Sequence, residues 1–128
     1  MERAIEIFVF INVVVVGLSH ALAPAPWVRF FKALAEKGQA GSLANGFLSL
    51  TFGSIIVAFH WTWDGFVPGS VTFLGVAQVI KSFVALVLPS IGLRSITQVR
   101  ATRESSYRYG GIIFLAYGAL LGWHLWIA

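Results

Sequence analysis

One lysine lies deep in an apolar stretch of the sequence, where an ammonium group needs a partner. Lys81 stands about 15 Å along the third of four apolar stretches, counted from Val71 at about 1.5 Å per residue. At that depth in a bilayer a charge costs about 3 kcal/mol or more unless it is paired or hydrated. Other polar side chains are expected at a similar depth and would form an intramembrane polar layer with it: Asn12, Thr51, Gln78 and Tyr117.

The chemistry of this layer has three interpretations. In the first, Lys81 is the centre of a site for an anion, a quinone carbonyl or a proton. In the second, Lys81 pairs with an acidic residue of a partner subunit. In the third, its helix is shifted in the bilayer and the side chain extends to the cytoplasmic headgroups, where the charge is solvated.

Two histidines flanked by tryptophan form a second candidate site. His60 ends the second apolar stretch and His124 lies near the end of the fourth. At equal depth two imidazoles can ligate a haem iron or another metal, and one can hold the magnesium of a pigment. Glu6 and Asp64 are expected at the same level, where a carboxylate can orient an imidazole. The alternative is that both histidines are amphipathic anchors at the membrane surface.

Signals for catalysis are absent from the sequence. The chain has 0 cysteines, which excludes disulfides and thiolate metal sites. It contains no G-x-S-x-G, no H-E-x-x-H and no phosphate-binding glycine loop, so we predict no catalytic residue and no enzyme. Nucleic acid is not indicated as a partner either, because the basic residues behind the net charge of +4 flank apolar stretches.

Composition and hydropathy predict the elements that position these residues. The 128 residues are 58% hydrophobic and 11% charged, whereas a soluble domain has about 25% charged residues. Four stretches approach the roughly 20 apolar residues that a spanning helix needs: Ile5 to Leu22, Ala44 to Trp61, Val71 to Leu88 and Gly111 to Ile127. The sequence therefore predicts an all-α integral membrane protein, a four-helix bundle forming a single transmembrane domain over 1–128.

The loops predict the orientation of this bundle. The loop at Asp64 carries no lysine or arginine, whereas the other two loops are basic. Because cytoplasmic loops are enriched in positive charge, we expect both basic loops inside and both termini outside, in a bacterial inner membrane. Short amphipathic helices at the interface are expected in the basic loops, with these side chains at the lipid headgroups: Arg29, Lys32, Lys37, Arg94 and Arg100.

An internal duplication is also indicated. An offset of 65 residues aligns a proline, an arginine, two glycines and a tryptophan of each half, among them Gly46 with Gly111 and Gly53 with Gly118. This predicts two parallel helical-hairpin repeats, at about 1–63 and 66–128, related by an axis along the membrane normal. Small residues allow close contact between membrane helices, and we expect these to pack helices together: Gly46, Gly53, Gly111, Gly118 and Gly122.

Three functions follow from these features. A non-catalytic accessory or structural subunit of a larger inner-membrane complex is the leading prediction, because intramembrane chemistry is sparse. One alternative is a small homo-oligomeric transporter or channel that uses the Lys81 layer. The other is a membrane subunit that binds haem, quinone or pigment through His60 and His124. The expected partners are the lipid bilayer and either other membrane subunits or further copies of this chain.

Overall fold

The structure is a computed structural model that describes the backbone of residues 1–100 and 103–128 and the side chains of all of these except 98–100. Within these residues the chain forms six helices and no strand. The helices are α1 (Glu2–Leu22), α2 (Pro24–Glu36), α3 (Gln39–Phe59), α4 (Phe66–Val87), α5 (Pro89–Arg100) and α6 (Glu104–Trp126).

Three of the long helices have the length and composition of membrane spans. These are α1, α3 and α4, which have 21, 21 and 22 residues. They confirm the all-helical prediction and support an integral membrane protein. The fourth predicted span is also a helix, α6, with 23 residues. It is less apolar than the other three, because glycine, tyrosine, histidine and tryptophan occupy many of its positions.

The short helices α2 and α5 begin at proline, immediately after a long helix. Pro24 and Pro89 occupy the first positions, where the missing N–H of proline costs no helical hydrogen bond. At the other end of α2 the chain turns through Gly38, whose φ of +64° lies in the left-handed region that glycine adopts without strain. The long helix α3 starts at the next residue.

The four long helices form two closely packed pairs. Helix α1 packs along α6 and α3 packs along α4, whereas the contacts of α1 with α3 and of α4 with α6 are thin. Each predicted repeat therefore has little contact between its own two long helices, and each close pair takes one helix from each half. The buried apolar core joins both pairs through Val9, Val13, Ile56, Val71 and Leu121.

Glycines allow the close approach within these pairs. A Cβ atom on Gly111 would lie 2.6 Å from the carbonyl oxygen of Gly17 and 2.6 Å from the amide nitrogen of Ala21. The same atom on Gly53 would lie 2.9 Å from the carbonyl oxygen of Gly75. Gly46, Gly118 and Gly122 likewise face side chains of the partner helix in their pair. All five glycines singled out in the sequence thus lie between helices of this chain.

The short helices pack at one end of the bundle, which we call the basic end. Helix α2 lies against α5, and the two also contact the long helices α3, α4 and α6. The Trp27 ring stacks on His20 of α1 with 4.2 Å between centroids, and Phe31 stacks on Tyr107 of α6 at 6.0 Å. The apolar face of α2 therefore packs largely on the bundle, and 40% of Phe30 remains exposed.

Candidate functional site

A buried polar cluster lies at the opposite end of the bundle, which carries Trp61, Trp63, Trp123 and Trp126 and is called here the Trp-rich end. The cluster takes one residue from each long helix or its end: Glu6, His60, Thr72 and His124. His60 is 0% exposed and Glu6 is 6% exposed. Polar side chains buried this close together must form hydrogen bonds with one another.

Local structure explains how each member reaches the cluster. Glu6 shares the buried face of α1 with Val9 and Val13, at i+3 and i+7. His60 is the C-cap residue of α3, where the backbone leaves the helix at φ −140° while its N–H still donates to the carbonyl of Ile56 at 2.8 Å. Thr72 lies in the second turn of α4, after the loop returns the chain to the same end.

Thr72 fixes one ring nitrogen of His60. Its hydroxyl oxygen lies 2.9 Å from His60 Nδ1 and 2.7 Å from the carbonyl oxygen of Thr62. The Thr72 hydroxyl thus joins the imidazole to the loop that follows α3, and the imidazole tautomer decides which of His60 Nδ1 and the hydroxyl is the donor.

Glu6 takes the other ring nitrogen. His60 Nε2 lies 3.1 Å from Glu6 Oε1. Both side chains are buried, so this contact satisfies polar atoms that water does not reach.

His124 approaches the second carboxyl oxygen. Its Nε2 lies 3.7 Å from Glu6 Oε2, beyond hydrogen-bonding distance, and 33% of its side chain is exposed. Glu6 thus stands between the two histidines that the sequence proposes as cofactor ligands. Asp64 does not join them, because it is exposed in the loop after His60.

The cluster leaves little coordination capacity for a cofactor. Both ring nitrogens of His60 are engaged by protein atoms, so ligation of a haem iron or a pigment would require the loss of one of these contacts. In the described part of the chain, no group of three or more His, Cys, Asp or Glu side chains is arranged to hold a metal ion. The arrangement is suited to joining helices.

Lys81 lies nearer the basic end than its predicted depth. Helix α4 begins at Phe66, earlier than the predicted start at Val71, and ends at Val87. Six residues separate Lys81 from that end, which is about 9 Å along the axis. Its side chain lines a cavity of about 220 Å³ together with Asn45 and Ser95.

The other members of the predicted polar layer lie elsewhere. Asn12 and Gln78 line a second cavity of about 220 Å³ between the two helix pairs. Tyr117 lines a neighbouring cavity of about 330 Å³ and shares a 2.7 Å hydrogen bond with Ser70. Thr51 is exposed and donates to the Phe47 carbonyl of its own helix at 2.9 Å. The structure therefore groups Asn12, Gln78 and Tyr117, and separates them from Lys81 and Thr51.

The residues proposed to contact lipid headgroups lie at the basic end. Arg29 and Lys32 are exposed on α2, Lys37 follows its last turn, and Arg94 is exposed on α5. Arg100 is the last residue of α5, and its side chain lies outside the described residues.

Thr72 is the functional residue that the sequence analysis missed. Its partner His60 lies 12 residues away across a loop. No spacing in the sequence distinguishes Thr72 from the other hydroxyl residues near the start of α4. Its only sequence signal is a polar side chain one turn inside an apolar helix.

Comparison with known proteins identifies no relative: no family model, no curated protein and no solved structure matches this chain.

Proposed function

We propose that this chain is a non-catalytic accessory or structural subunit of a larger assembly in a bacterial inner membrane. The observation that best supports this proposal is that His60, one of its most reactive side chains, is held by contacts within the protein. His60 is bound by Glu6 from α1 and by Thr72 from α4, and both contacts are buried. An imidazole held on both nitrogens connects helices and presents no free nitrogen to a substrate.

The fourth membrane span is part of this proposal. Helix α6 packs antiparallel to α1, with Gly111 against Gly17 near the basic end and Gly122 against Phe10 near the Trp-rich end. Arg3 Nη1 also donates to the Leu125 carbonyl at 2.8 Å, between the first turn of α1 and the last turn of α6. A helix that follows a spanning helix over this length shares its depth in the membrane. We infer that α6 crosses with α1 and that both termini lie outside.

The two-repeat organisation belongs to the same proposal. Contacts within the two close pairs correspond at the 65-residue offset. Gly53 contacts Val79 as Gly118 contacts Val14, and Gly46 contacts Ala85 as Gly111 contacts His20. Equivalent residues thus make equivalent contacts in the two pairs. This correspondence supports a duplication of a two-span unit, and α2 and α5 are then equivalent helices on the cytoplasmic side.

The surface of the long helices supports a membrane partner. Large apolar side chains are exposed on each of them, for example Val15, Phe47, Phe83 and Ile113 at 59%, 62%, 58% and 67%. Lipid covers such a surface, and so do helices of another subunit. Three features together favour a subunit over a protein that functions without partners: small size, a closed polar cluster and extended apolar faces.

The two alternatives have weaker support. A homo-oligomeric transporter that uses the predicted polar layer needs its residues on one path, and Lys81 and Thr51 lie apart from the other three. Joint ligation of haem or pigment by His60 and His124 needs a free nitrogen on each imidazole, which His60 lacks.

Native purification tests the proposal. The full chain, carrying an affinity tag, is isolated from its own membrane in a mild detergent and analysed by mass spectrometry, with an unrelated tagged four-span protein as the control. We expect other membrane subunits in stoichiometric amounts. Isolation of this chain alone would contradict the proposal.

Two measurements on the same preparation separate the alternatives. A visible absorption band would favour the cofactor-binding subunit. Ion flux in liposomes that disappears in Lys81→Met would favour the transporter.

A further inference from the structure

The cavity beside Lys81 differs from the other cavities of the bundle in its chemistry. It lies among α3, α4 and α5 and has a volume of about 220 Å³. Its lining combines an ammonium, an amide and a hydroxyl with apolar side chains: Lys81, Asn45, Ser95, Val84, Ala85 and Gly92. No carboxylate is among these residues.

The polar groups in this cavity have unused donors. Both ion pairs found in the described residues involve Glu6, at the other end of the bundle, so Lys81 has no internal counter-ion there. Throughout the described side chains, no hydrogen bond engages Lys81 or Asn45, and Ser95 makes one long contact of 3.4 Å with the Ile91 carbonyl. Lys81 and Asn45 thus have donors that face one space without an acceptor, and Ser95 can exchange its long contact for a shorter one to an oxygen in that space. Such a group is suited to an anion.

The depth of the cavity identifies the source of that anion. Lys81 precedes the end of α4 by six residues, and Asn45 follows the start of α3 by six residues, which places both about 9 Å inside the basic end. In a membrane whose headgroups surround the helix ends, this is the level at which the headgroups meet the hydrocarbon. Leu48, one turn further along α3 from Asn45, is 63% exposed and continues the surface towards the hydrocarbon.

The charge at the basic end agrees with an anionic lipid. Arg94 precedes Ser95 on α5, and Arg29, Lys32 and Lys37 are exposed at the same end. Clustered cations beside spanning helices attract anionic lipids. An acyl chain of such a lipid can lie along the exposed apolar surface of α3 while its headgroup occupies the cavity.

We propose that Lys81, Asn45 and Ser95 bind the phosphate group of an anionic phospholipid in the leaflet at the basic end. The ammonium supplies the charge, and the amide and the hydroxyl orient the phosphate oxygens. This assignment gives Lys81 a counter-ion without a partner subunit, so it stands or fails independently of the proposed assembly.

Lipid retention by the purified full chain tests this site. Wild type in detergent is incubated with equal amounts of phosphatidylglycerol and phosphatidylcholine, and bound lipid is counted by native mass spectrometry. Lys81→Met removes the ammonium and keeps a long side chain. Arg3→Met, exposed in the first turn of α1 at the Trp-rich end, is the control for the loss of one positive charge away from the site. Circular dichroism confirms that each variant is folded.

We expect wild type to retain phosphatidylglycerol in preference to phosphatidylcholine. Lys81→Met should lower that retention about fivefold, the effect of one cation at a lipid phosphate, and Arg3→Met should leave it nearly unchanged. Asn45→Ala should give an intermediate loss.

The remaining outcomes overturn the proposal. Equal retention by wild type and Lys81→Met would leave an acidic residue of a partner subunit as the counter-ion. Binding of inorganic phosphate that depends on Lys81, without any preference for phosphatidylglycerol, would assign the site to a free anion. If Lys81→Met does not fold, Asn45→Ala and Ser95→Ala with unchanged retention would reject the site.

Discussion

The imidazole of His60 lies 3.1 Å from the carboxyl group of Glu6, although 54 residues separate them in the chain. One contact therefore fixes the position of α1 relative to the end of α3. Helices α1 and α3 otherwise touch little, so this polar pair adds a buried polar link to the apolar core that joins the two close helix pairs.

Removal of the carboxyl group should destabilise the bundle. Glu6→Ala leaves His60 Nε2 buried without a partner, which costs about 1–3 kcal/mol. Glu6→Gln should cost less, since its amide can still form a hydrogen bond with the ring. The free energy of unfolding, measured by denaturant titration in detergent, checks this order. Glu2→Ala, exposed in the first turn of α1, is the control, and equal stability of all three variants would argue against a buried pair.

Thr72 should contribute as much as Glu6 to the free energy of unfolding. Thr72→Val keeps the shape of the side chain but removes the hydroxyl that contacts His60 Nδ1. We therefore expect the free energy of unfolding to fall by about 1–3 kcal/mol. Thr51→Val removes a hydroxyl that is exposed and bonded only within its own helix, so its effect should stay within about 0.5 kcal/mol. A similar loss in both variants would mean that the Thr72 contact has no special role.

Adjacent glycines provide a matched test of helix packing. A Cβ at Gly111 meets backbone atoms of α1 at 2.6 Å, whereas a Cβ at Gly110 meets nothing within 4 Å. Gly111→Ala should cost about 1–3 kcal/mol in unfolding free energy through overpacking. Gly110→Ala should be neutral or stabilise the helix by up to about 1 kcal/mol. The reverse order would contradict the contact between α1 and α6.

The orientation can be tested directly because the chain has 0 cysteines. Single cysteines replace Asp64, Lys37 and Ala128, and intact cells are treated with a membrane-impermeant maleimide. We expect labelling of Asp64→Cys and Ala128→Cys, and labelling of Lys37→Cys only after permeabilisation. Protection of Ala128→Cys in intact cells would show that α6 does not cross.

Hydropathy predicted the long helices well, because burial in lipid demands long apolar runs whatever the tertiary contacts. Pro24 and Pro89 also indicated where the first and third long helices end. The start of the third long helix was predicted less accurately: α4 begins at Phe66, so Lys81 lies nearer to the basic end than to the middle of its helix. An apolar run does not specify where in the preceding loop a helix begins.

The rotation of each helix about its axis was the second feature that the sequence did not predict. Asn12 and Thr51 have similar predicted depth, but Asn12 lines a cavity between the helix pairs and Thr51 is exposed. Glu6 was recognised from its level as a residue that can orient an imidazole, and the structure places it against His60. The contact of Thr72 with His60 depends on the path of the loop between α3 and α4, which hydropathy does not describe.

The pairing of α1 with α6 also constrains how the chain is made. Helix α1 leaves the ribosome before the other described helices, yet the glycine-rich surface that receives it belongs to α6, which is synthesised after all of them. Helices α3 and α4, which are neighbours in the chain, can pack as soon as both are inserted. During translation α1 must therefore wait in lipid, or with an insertion factor, until α6 is inserted, and a ribosome that stops before α6 leaves α1 without its partner.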